Sequence, residues 1–346
     1  MRPLDLVIHA LSSRAARPLF RRIMRGRATI FMLHRITDAA AGISGHSLEF
    51  VQQALETLRA SGAQFVSVRQ IIEAYANGSG PGDSWVAFTI DDGFADQGEL
   101  ARRAFAACNC PVTIFLITGL LDQQLWPWDD RLSFAFGKAR ADTFEITVGG
   151  RKMRLALQTP QQRHHALDQV RNHCKSIPNS RLYELVDEIA SQLDVSVPTA
   201  APAQFRALSW DEARALEGHG VEFAPHSVTH RIFSQLTAEE AHNEIAVSWR
   251  RLQEELRRPL PVFAWPTGRA SDYTQRDTTM LQELGLSAYA TTEADYTYFG
   301  RRKTDVGGPH VLRRFSLPDR IRDVLQYGSW IERGKQIARG TVRHSR

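Results

Sequence analysis

The chain contains 346 residues, of which 43% are hydrophobic and 23% charged, an ordinary composition for a globular protein. This length allows either one large α/β domain with an insertion or two domains. The net charge of +5 is concentrated near the ends: residues 1–27 hold seven arginines against one aspartate, and residues 331–346 hold five basic residues against one glutamate. The residues between are therefore net negative, which argues against a nucleic-acid-binding core, and no nucleic-acid partner is expected.

The first segment, 1–27, predicts an amphipathic helix, because apolar residues recur at three- and four-residue steps beside an arginine-rich face. The arginines leave no apolar run of the length that a secretory signal needs, and no run in the chain reaches the roughly 18 residues of a membrane span. We therefore expect a cytoplasmic protein. Its first helix either packs on the domain with solvated arginines or rests on anionic lipid at the inner membrane face. The three cysteines (Cys108, Cys110 and Cys174) are expected to be reduced, and Cys108 and Cys110 to be packed against a buried strand.

Short apolar runs alternate with helical patterns along most of the chain, which is typical of parallel strands joined by crossover helices. The predicted strands, in chain order, are 28–33, 65–68, 85–90, 112–117, 221–224, 261–265, 288–291 and 311–315. The predicted helices that alternate with them are 48–60, 68–75, 99–107, 210–217, 237–256, 278–283 and 318–332.

The alternation is lost between about 121 and 205. This stretch predicts a hairpin around Gly149-Gly150 and two helices near 160–175 and 180–193, and we interpret it as an insertion. The chain then divides into an N-terminal helix at 1–27, a domain at 28–330 that contains the insertion, and a basic C-terminal tail at 331–346.

Polar side chains stand at the ends of three predicted strands: His34, the pair Asp91 and Asp92, and His226, which is followed four residues later by His230. The carboxyl ends of parallel barrel strands open on one face, so these groups can converge there. Two histidines four apart point the same way on a helical turn, and with one carboxylate they form a set that leaves open positions on a metal. Adjacent aspartates face different directions, so one can bind the metal while the other takes a proton from attacking water.

The motifs T-I-D-D-G (Thr89–Gly93) and H-S-V-T-H (His226–His230) resemble the T-F-D-D-G and H-[ST]-x-x-H motifs of the polysaccharide deacetylases, carbohydrate esterase family 4, with its NodB-homology domain. The segments F-M-L-H-R-I (31–36) and F-A-W-P-T-G (Phe263–Gly268) are also similar to this family. The resemblance covers roughly residues 28–118 and 206–315 and points to the branch with poly-N-acetylglucosamine deacetylases. It implies an α/β fold, an incomplete (β/α)7-type barrel with an α+β insertion, and metal-dependent removal of acetyl from N-acetylhexosamine.

The resemblance also implies residue roles. Asp92, His226 and His230 would bind a divalent metal, for which zinc is the first expectation and cobalt, nickel or manganese are alternatives. Asp91 would be the general base. The site segment Trp265, Pro266, Thr267 and Gly268 would line the substrate, with the main-chain N–H of Thr267 stabilising the oxyanion.

Two departures from the family pattern concern catalysis. Ala264 stands where the family has an arginine that supports the catalytic aspartate, and the late histidine that acts as general acid is missing from 311–314. In the branch that the chain resembles, a histidine at the end of the first strand takes the acid role, which here would be His34. His310, just before the last strand, is the alternative acid.

Some further residues are candidate substrate contacts. Trp126, Trp128 and Trp265 are candidate sugar-stacking rings, although the first two could equally anchor the insertion to the barrel. Residues 129–131 (Asp-Asp-Arg) are expected to be a solvated charge cluster.

The expected substrate is an N-acetylated glycan or glycolipid of envelope or exopolysaccharide synthesis. Two other functions remain open. The same site could hydrolyse a non-glycan amide or imide, or the chain could be a glycan-binding scaffold whose catalysis has decayed.

Overall fold

Two sheets of parallel strands form the centre of the molecule, in a computed structural model that describes residues 3–38, 43–148, 151–300 and 308–340. The strands are β1 (Arg27–Leu33), β2 (Gln64–Phe65), β3 (Trp85–Asp92), β4 (Val112–Leu116), β5 (Thr143–Val148), β6 (Arg151–Ala156), β7 (Val221–Pro225), β8 (Val262–Ala264), β9 (Ala288–Ala290), β10 (Thr297–Tyr298), β11 (His310–Leu312) and β12 (Phe315–Ser316).

Helices surround these sheets. They are α1 (Pro3–Ser12), α2 (Arg17–Met24), α3 (Leu48–Ala60), α4 (Val68–Ala76), α5 (Ala95–Leu100), α6 (Thr118–Leu121), α7 (Trp128–Lys138), α8 (Pro160–Ser176), α9 (Leu182–Gln192), α10 (Trp210–Leu216), α11 (Ala238–Glu255), α12 (Gln275–Glu283), α13 (Ile321–Gly328) and α14 (Ile331–Ala338). A π-helical segment, Ala101–Ala106, continues α5, and short 3₁₀ segments lie at Asn179–Arg181, Ala203–Phe205 and Phe233–Gln235.

The two sheets together make an open barrel. The larger has the order β10–β1–β3–β4–β7, in which β1, β3, β4 and β7 are parallel, and the smaller has the parallel order β11–β9–β8. Because β12 follows β11 closely and pairs with β1, the end of the smaller sheet returns to the start of the larger one. Between β7 and β8 a backbone hydrogen bond from Leu260 to Phe223 (2.8 Å) replaces a continuous ladder. This architecture confirms the expected incomplete (β/α)7-type barrel.

The carboxyl ends of β3, β4 and β7 are level with one another. Asp92 is in register with Leu116, and Leu116 is in register with Pro225. The amide of His226 donates to the carbonyl of Leu116 at 2.9 Å, which extends the ladder one step beyond β7. These strands are almost entirely buried because helices cover the sheet, so the polar residues that follow them meet at one face.

Residues 121–205 form a unit with its own hydrophobic core, built from α7, α8, α9 and the β5–β6 hairpin. The hairpin and both predicted helices are present, whereas α7 begins directly after Pro127 in an aromatic stretch that the hydrophobic pattern did not resolve. The predicted turn at Gly149-Gly150 lies outside the described residues.

The prediction of one helix over 1–27 is wrong, because α1 ends at Ser12 and α2 begins at Arg17. Pro18 in the first turn of α2 explains the break, since proline lacks an N–H and its ring clashes with a preceding helical turn. Ile8 packs on residues of α13 and α14, so α1 rests on the domain.

The C-terminal elements also differ from expectation. The predicted helix 318–332 is two helices, α13 and α14. At Gly328 the backbone lies so close to Leu58 that a Cβ would stand 2.4 Å from its Cδ2 atom. The prediction of a tail at 331–346 is wrong for its first part, because residues 331–338 form the packed helix α14, in which Arg333 is buried. The last six residues, 341–346, lie outside the described residues.

The three cysteines are free and buried. Cys108 and Cys110 pack just before β4, as predicted, and Cys174 lies in the core of the insertion. Within the described ranges, no helix combines the length and the hydropathy that crossing a membrane requires.

Candidate metal centre and active site

Asp92, His226 and His230 meet at the carboxyl face of the barrel. Asp92 is the last residue of β3, and His226 follows β7 directly. One carboxylate oxygen of Asp92 lies 3.7 Å from the Nε2 atom of each histidine, and the three candidate ligand atoms lie within 4.8 Å of one another. Both histidines are buried, and the side chain of Asp92 is 14% exposed.

This donor set fits a divalent metal ion. Tetrahedral zinc with bonds of 2.0–2.1 Å separates its ligand atoms by about 3.3 Å, close to the 3.7 Å between the Asp92 oxygen and the Nε2 atom of each histidine. Three protein ligands leave one position open, as in hydrolytic centres. Burial raises the pKa of Asp92 well above its ordinary value, and Asp130 and Asp91 raise it further, so a nearby cation would relieve strong repulsion among these carboxylates. Burial also lowers the pKa of His226 to about 3, which leaves its imidazole neutral and able to bind a metal.

The two histidines do not lie on a helical turn, contrary to the expectation from their spacing. The segment is a loop in which Ser227 (φ 68°) and His230 (φ 54°) adopt left-handed conformations. The hydroxyl of Ser227 accepts a hydrogen bond from the amide of His230 at 3.0 Å, which closes the loop and turns both rings inward. Asp92 is also left-handed, with φ 96°. Such strained residues persist only when the surrounding structure holds them, and they concentrate at functional sites.

Glu244 of α11 supplies part of that support. Its buried carboxylate accepts hydrogen bonds from the amides of Val228 (2.8 Å) and Thr229 (2.9 Å), and Arg231 donates to it at 3.2 Å. Sequence reasoning missed Glu244. One feature of the sequence could have identified it: Glu244 is an acidic residue on the face of α11 that is buried in the core, where a carboxylate needs partners.

The insertion holds the same loop from the other side. Trp128 donates from Nε1 to the carbonyl of His230 (2.9 Å), Tyr183 donates to the carbonyl of Thr229 (2.8 Å), and Asn179 accepts from the amide of Ile232 (2.8 Å). The sugar-stacking interpretation of Trp128 is therefore wrong, because its ring is 1% exposed and anchors the insertion to the barrel.

Trp126 is likewise 1% exposed, and its indole donates to the carbonyl of Pro198 at 3.1 Å, so it does not stack on a sugar either. The expectation of a solvated cluster at 129–131 is also incorrect. An oxygen of Asp129 lies 3.8 Å from Nδ1 of His230, and burial together with Asp129 raises the pKa of Asp130 to about 8. Arg131 is paired with Asp187.

Asp91 stands beside Asp92 at the end of β3 and is bound by Arg314. The guanidinium donates to both carboxylate oxygens, at 2.6 and 2.8 Å, and also to the carbonyl of Thr291 at 3.0 Å. Burial tends to raise the pKa of Asp91, but the charge and hydrogen bonds of Arg314 outweigh it and lower that pKa to about 2. Asp91 is therefore an anion across the physiological pH range.

Arg314 replaces the missing family arginine in space. Ala264 stands at the motif position, but Arg314 reaches Asp91 from the break between β11 and β12, the two pieces into which the predicted strand 311–315 is divided. From the sequence, residues 311–314 were notable only because the family's late histidine is missing there. No contact between Arg314 and Asp91 was predicted.

His34 follows β1 and is held through its backbone by Gln97. The amide group of Gln97 donates to the carbonyls of His34 (2.8 Å) and Asp91, and its oxygen accepts from the amide of Gly93 (2.9 Å). The side chain of His34 reaches solvent. Desolvation by the surrounding protein is the main cause that lowers its pKa, Arg314 lowers it further, and Asp91 opposes both. His310, the alternative acid, begins β11 at the opposite end of the barrel and stacks on Tyr75 at 4.2 Å.

The segment after β8 lies beside the metal cluster, because the carbonyl of Ala264 is 2.8 Å from Nδ1 of His226. Trp265 is 1% exposed and stacks on Tyr273 with 4.8 Å between ring centroids, so the expectation that it presents a face to sugar is wrong. Pro266, also buried, leads into the left-handed pair Thr267 (φ 57°) and Gly268 (φ 63°). The role of the Thr267 amide as an oxyanion donor stays a prediction.

A family profile described as "Polysaccharide deacetylase" matches residues 78–289, more than half of the chain. No curated protein sequence matches the chain.

Three solved structures share the fold. A Streptococcus pyogenes deacetylase, PplD, in complex with acetate is 16% identical over 88% of this chain and 98% of its own, with a TM-score of 0.56. IcaB from Ammonifex degensii is 16% identical over 88% and 97%, with a TM-score of 0.53. A de-N-acetylase from Aggregatibacter actinomycetemcomitans is 16% identical over 84% and 94%, with a TM-score of 0.50. The chain therefore belongs to the polysaccharide deacetylase family and is a hydrolase of the deacetylase class.

Proposed function

We propose that this enzyme removes N-acetyl groups from a GlcNAc-type residue of a polysaccharide or lipid-linked glycan in envelope or exopolysaccharide synthesis. The observation that supports it most directly is the meeting, on one barrel face, of the set Asp92, His226 and His230 with the ionised carboxylate of Asp91. Removal of an N-acetyl group releases acetate, and two structural neighbours are a deacetylase in complex with acetate and a de-N-acetylase.

Asp92, His226 and His230 would hold the metal, for which zinc suits two imidazoles and a carboxylate, with cobalt, nickel and manganese as alternatives. When bound, a divalent cation supplies polarisation of the acetamide carbonyl and of the attacking water. The other roles belong to the protein's own side chains and backbone.

Asp91, held in place by Arg314, accepts a proton from the attacking water. His34, on the solvent-facing side of the cleft, donates a proton to the amine that leaves. Its lowered pKa makes the protonated imidazole the minor form at neutral pH and also a stronger acid. The backbone N–H of Thr267 stabilises the oxyanion, a role that depends on the left-handed turn rather than on the side chain.

The test is acetate release from N-acetylglucosamine oligomers by the full chain. We expect turnover that stops on chelation, returns on adding zinc or cobalt, and is abolished by Asp91→Asn although that variant still binds metal. Turnover that resists chelation would exclude the proposal. Release of acyl groups only from simple amides would favour the non-glycan alternative.

A decayed scaffold is the remaining alternative. The bidentate contact of Arg314 with Asp91 weighs against it, because Asp91 still has an arginine partner although the family's motif position holds Ala264. Metal binding without turnover on any acylated substrate would favour the scaffold.

We propose further that the enzyme works in the cytoplasm at an anionic membrane surface, where a lipid-linked substrate would be presented. Every large hydrophobic side chain that is exposed in the described part of the chain lies on α1, α2 or α14: Leu4, Leu6, Val7, Leu11, Leu19 and Ile337. Exposed arginines accompany them at positions 14, 21, 22 and 25. Apolar side chains beside arginines match the chemistry of an anionic lipid interface.

Sedimentation with vesicles tests this location. Binding to phosphatidylglycerol vesicles that weakens with salt, and that Val7→Glu with Leu11→Glu abolishes, is expected. Equal binding to neutral phosphatidylcholine vesicles, or none to either, would contradict it.

A further inference from the structure

The two histidines of the metal centre are oriented alike. Each turns its Nε2 atom toward the same oxygen of Asp92, at 3.7 Å, and its Nδ1 atom away from the cluster. For His226 the outer nitrogen meets the carbonyl of Ala264 at 2.8 Å. For His230 the outer nitrogen faces a carboxylate oxygen of Asp129, at 3.8 Å. His226 thus has a hydrogen-bond acceptor from the barrel, and His230 faces an acceptor from the insertion.

The two facing atoms at His230 both lack a hydrogen bond. Nδ1 of His230 and Oδ1 of Asp129 are each buried and without a partner at hydrogen-bonding distance. Leaving a buried polar atom unpaired is energetically unfavourable, so two such atoms that face each other favour pairing with each other. A shift of about 1 Å would bring them to the usual separation of a charge-assisted hydrogen bond.

The backbone already holds the two groups in position. Asp129 lies in the first turn of α7, and its neighbour Trp128 donates to the carbonyl of His230 itself at 2.9 Å. The indole contact joins the start of α7 to the histidine residue, while the carboxylate next to it faces the ring of the same histidine. Within the described part of the chain, the carboxylates that come within 4.0 Å of the His230 ring nitrogens belong to Asp92, which faces Nε2, and to Asp129, which faces Nδ1.

We propose that Asp129 is the positioning residue of His230 in the metal centre. An imidazole that binds a metal through Nε2 has its proton on Nδ1, and an acceptor there fixes the ring orientation and strengthens the ligand. Asp129 accepts that proton in a hydrogen bond, so the insertion completes a metal site whose three ligands come from the barrel. This inference rests on the proposed metal-binding function of Asp92, His226 and His230.

Metal affinity of the full chain tests it. Zinc dissociation constants are measured by chelator competition for the wild type, Asp129→Ala, Asp129→Asn and Asp130→Asn, which is the control at the neighbouring position. We expect a 10- to 100-fold weaker affinity for Asp129→Ala, the range seen when such outer partners of metal ligands are removed. Asp129→Asn keeps an acceptor oxygen and should lie between wild type and alanine. The visible absorption of bound cobalt should change in the Asp129 variants and not in Asp130→Asn.

The outcomes separate the two proposals. A wild type that binds no metal would overturn the metal-binding function itself. A wild type that binds zinc, with Asp129→Ala equally tight or no weaker than Asp130→Asn, would overturn the role of Asp129 alone. Thermal unfolding of the metal-free proteins identifies any variant that fails to fold, in which case the comparison of Asp129→Asn with Asp130→Asn decides.

Discussion

Replacing Arg314 with methionine removes the cation that holds Asp91 and leaves a side chain of similar length in its place. Arg314 is fully buried and makes two hydrogen bonds to the Asp91 carboxylate, at 2.6 and 2.8 Å. Without it, Asp91 remains buried with no cation in contact. Removing one partner of a buried ion pair costs about 3–5 kcal/mol, so we expect the free energy of unfolding at pH 7 to fall by that amount.

The loss should depend on pH in a defined direction. In the wild type the pKa of Asp91 is lowered from 3.8 to about 2, so the ionised carboxylate stabilises the fold above pH 3.8 and loses this contribution as the pH falls toward 2. That shift corresponds to about 2 kcal/mol. In Arg314→Met, burial without the cation should raise the pKa above 3.8, so the fold loses stability as the pH rises through the new value. The difference between the two proteins is then largest at neutral pH and smallest near pH 3.

Denaturant unfolding of the metal-free proteins between pH 3 and pH 8 measures this difference. Arg313→Met is the matched control, because Arg313 is the adjacent residue and its partner Glu293 is 38% exposed. Arg313→Met should lower the free energy of unfolding by less than Arg314→Met does, and this loss should not depend on the titration of Asp91. The double variant Asp91→Asn with Arg314→Met should recover part of the lost stability, because it removes the buried charge together with its partner.

An equal loss at pH 3 and pH 7 would refute this reasoning. So would a double variant that is no more stable than Arg314→Met alone. Either result would mean that Arg314 stabilises the fold by packing rather than through the charge of Asp91.

Three other changes should have separate effects. Metal affinity should rise with pH, because burial raises the pKa of Asp92 and binding must displace a proton from this carboxyl group. Calorimetry in buffers of different ionisation enthalpy should detect protons released on metal binding at acidic pH and fewer at higher pH, and an absence of release at every pH would contradict this. His34→Asn should lower kcat by about 10²- to 10⁴-fold with an unchanged zinc dissociation constant, and a variant with full kcat would exclude His34 as the acid. Glu244→Gln weakens the bonds to the amides of Val228 and Thr229, so it should cost about 1–3 kcal/mol in unfolding and weaken zinc binding, whereas a change in stability alone would restrict Glu244 to a folding role.

The ligand cluster was accessible from the sequence because its signals are local. Asp91 and Asp92 end one apolar run, and His226 follows another, and the ends of parallel strands must meet at one face. The start of the predicted helix 210–217 was also correct. The structure has a capping box there, formed by Ser209 and Glu212, which lie only three residues apart in the sequence.

Other features depended on contacts between distant residues. Arg314 lies 223 positions from Asp91, and no local pattern indicates that it takes the place of the arginine lost at position 264. The turn at His226–His230 was misjudged because spacing alone favours a helix, whereas Glu244 and the insertion hold the backbone in left-handed conformations.

The sequence by itself thus determined which chemical groups the protein has and at which strand ends they stand, since periodicity, caps and motifs depend on neighbours along the chain. Only the tertiary structure decided which group faces which. In the folded protein Trp126, Trp128 and Trp265 are buried, although the sequence alone left them as candidates for binding sugar. The fold also places Asp129 of the insertion next to His230. The physical reason is that side-chain partners are selected by packing and charge across the folded core, where distance along the chain has no bearing.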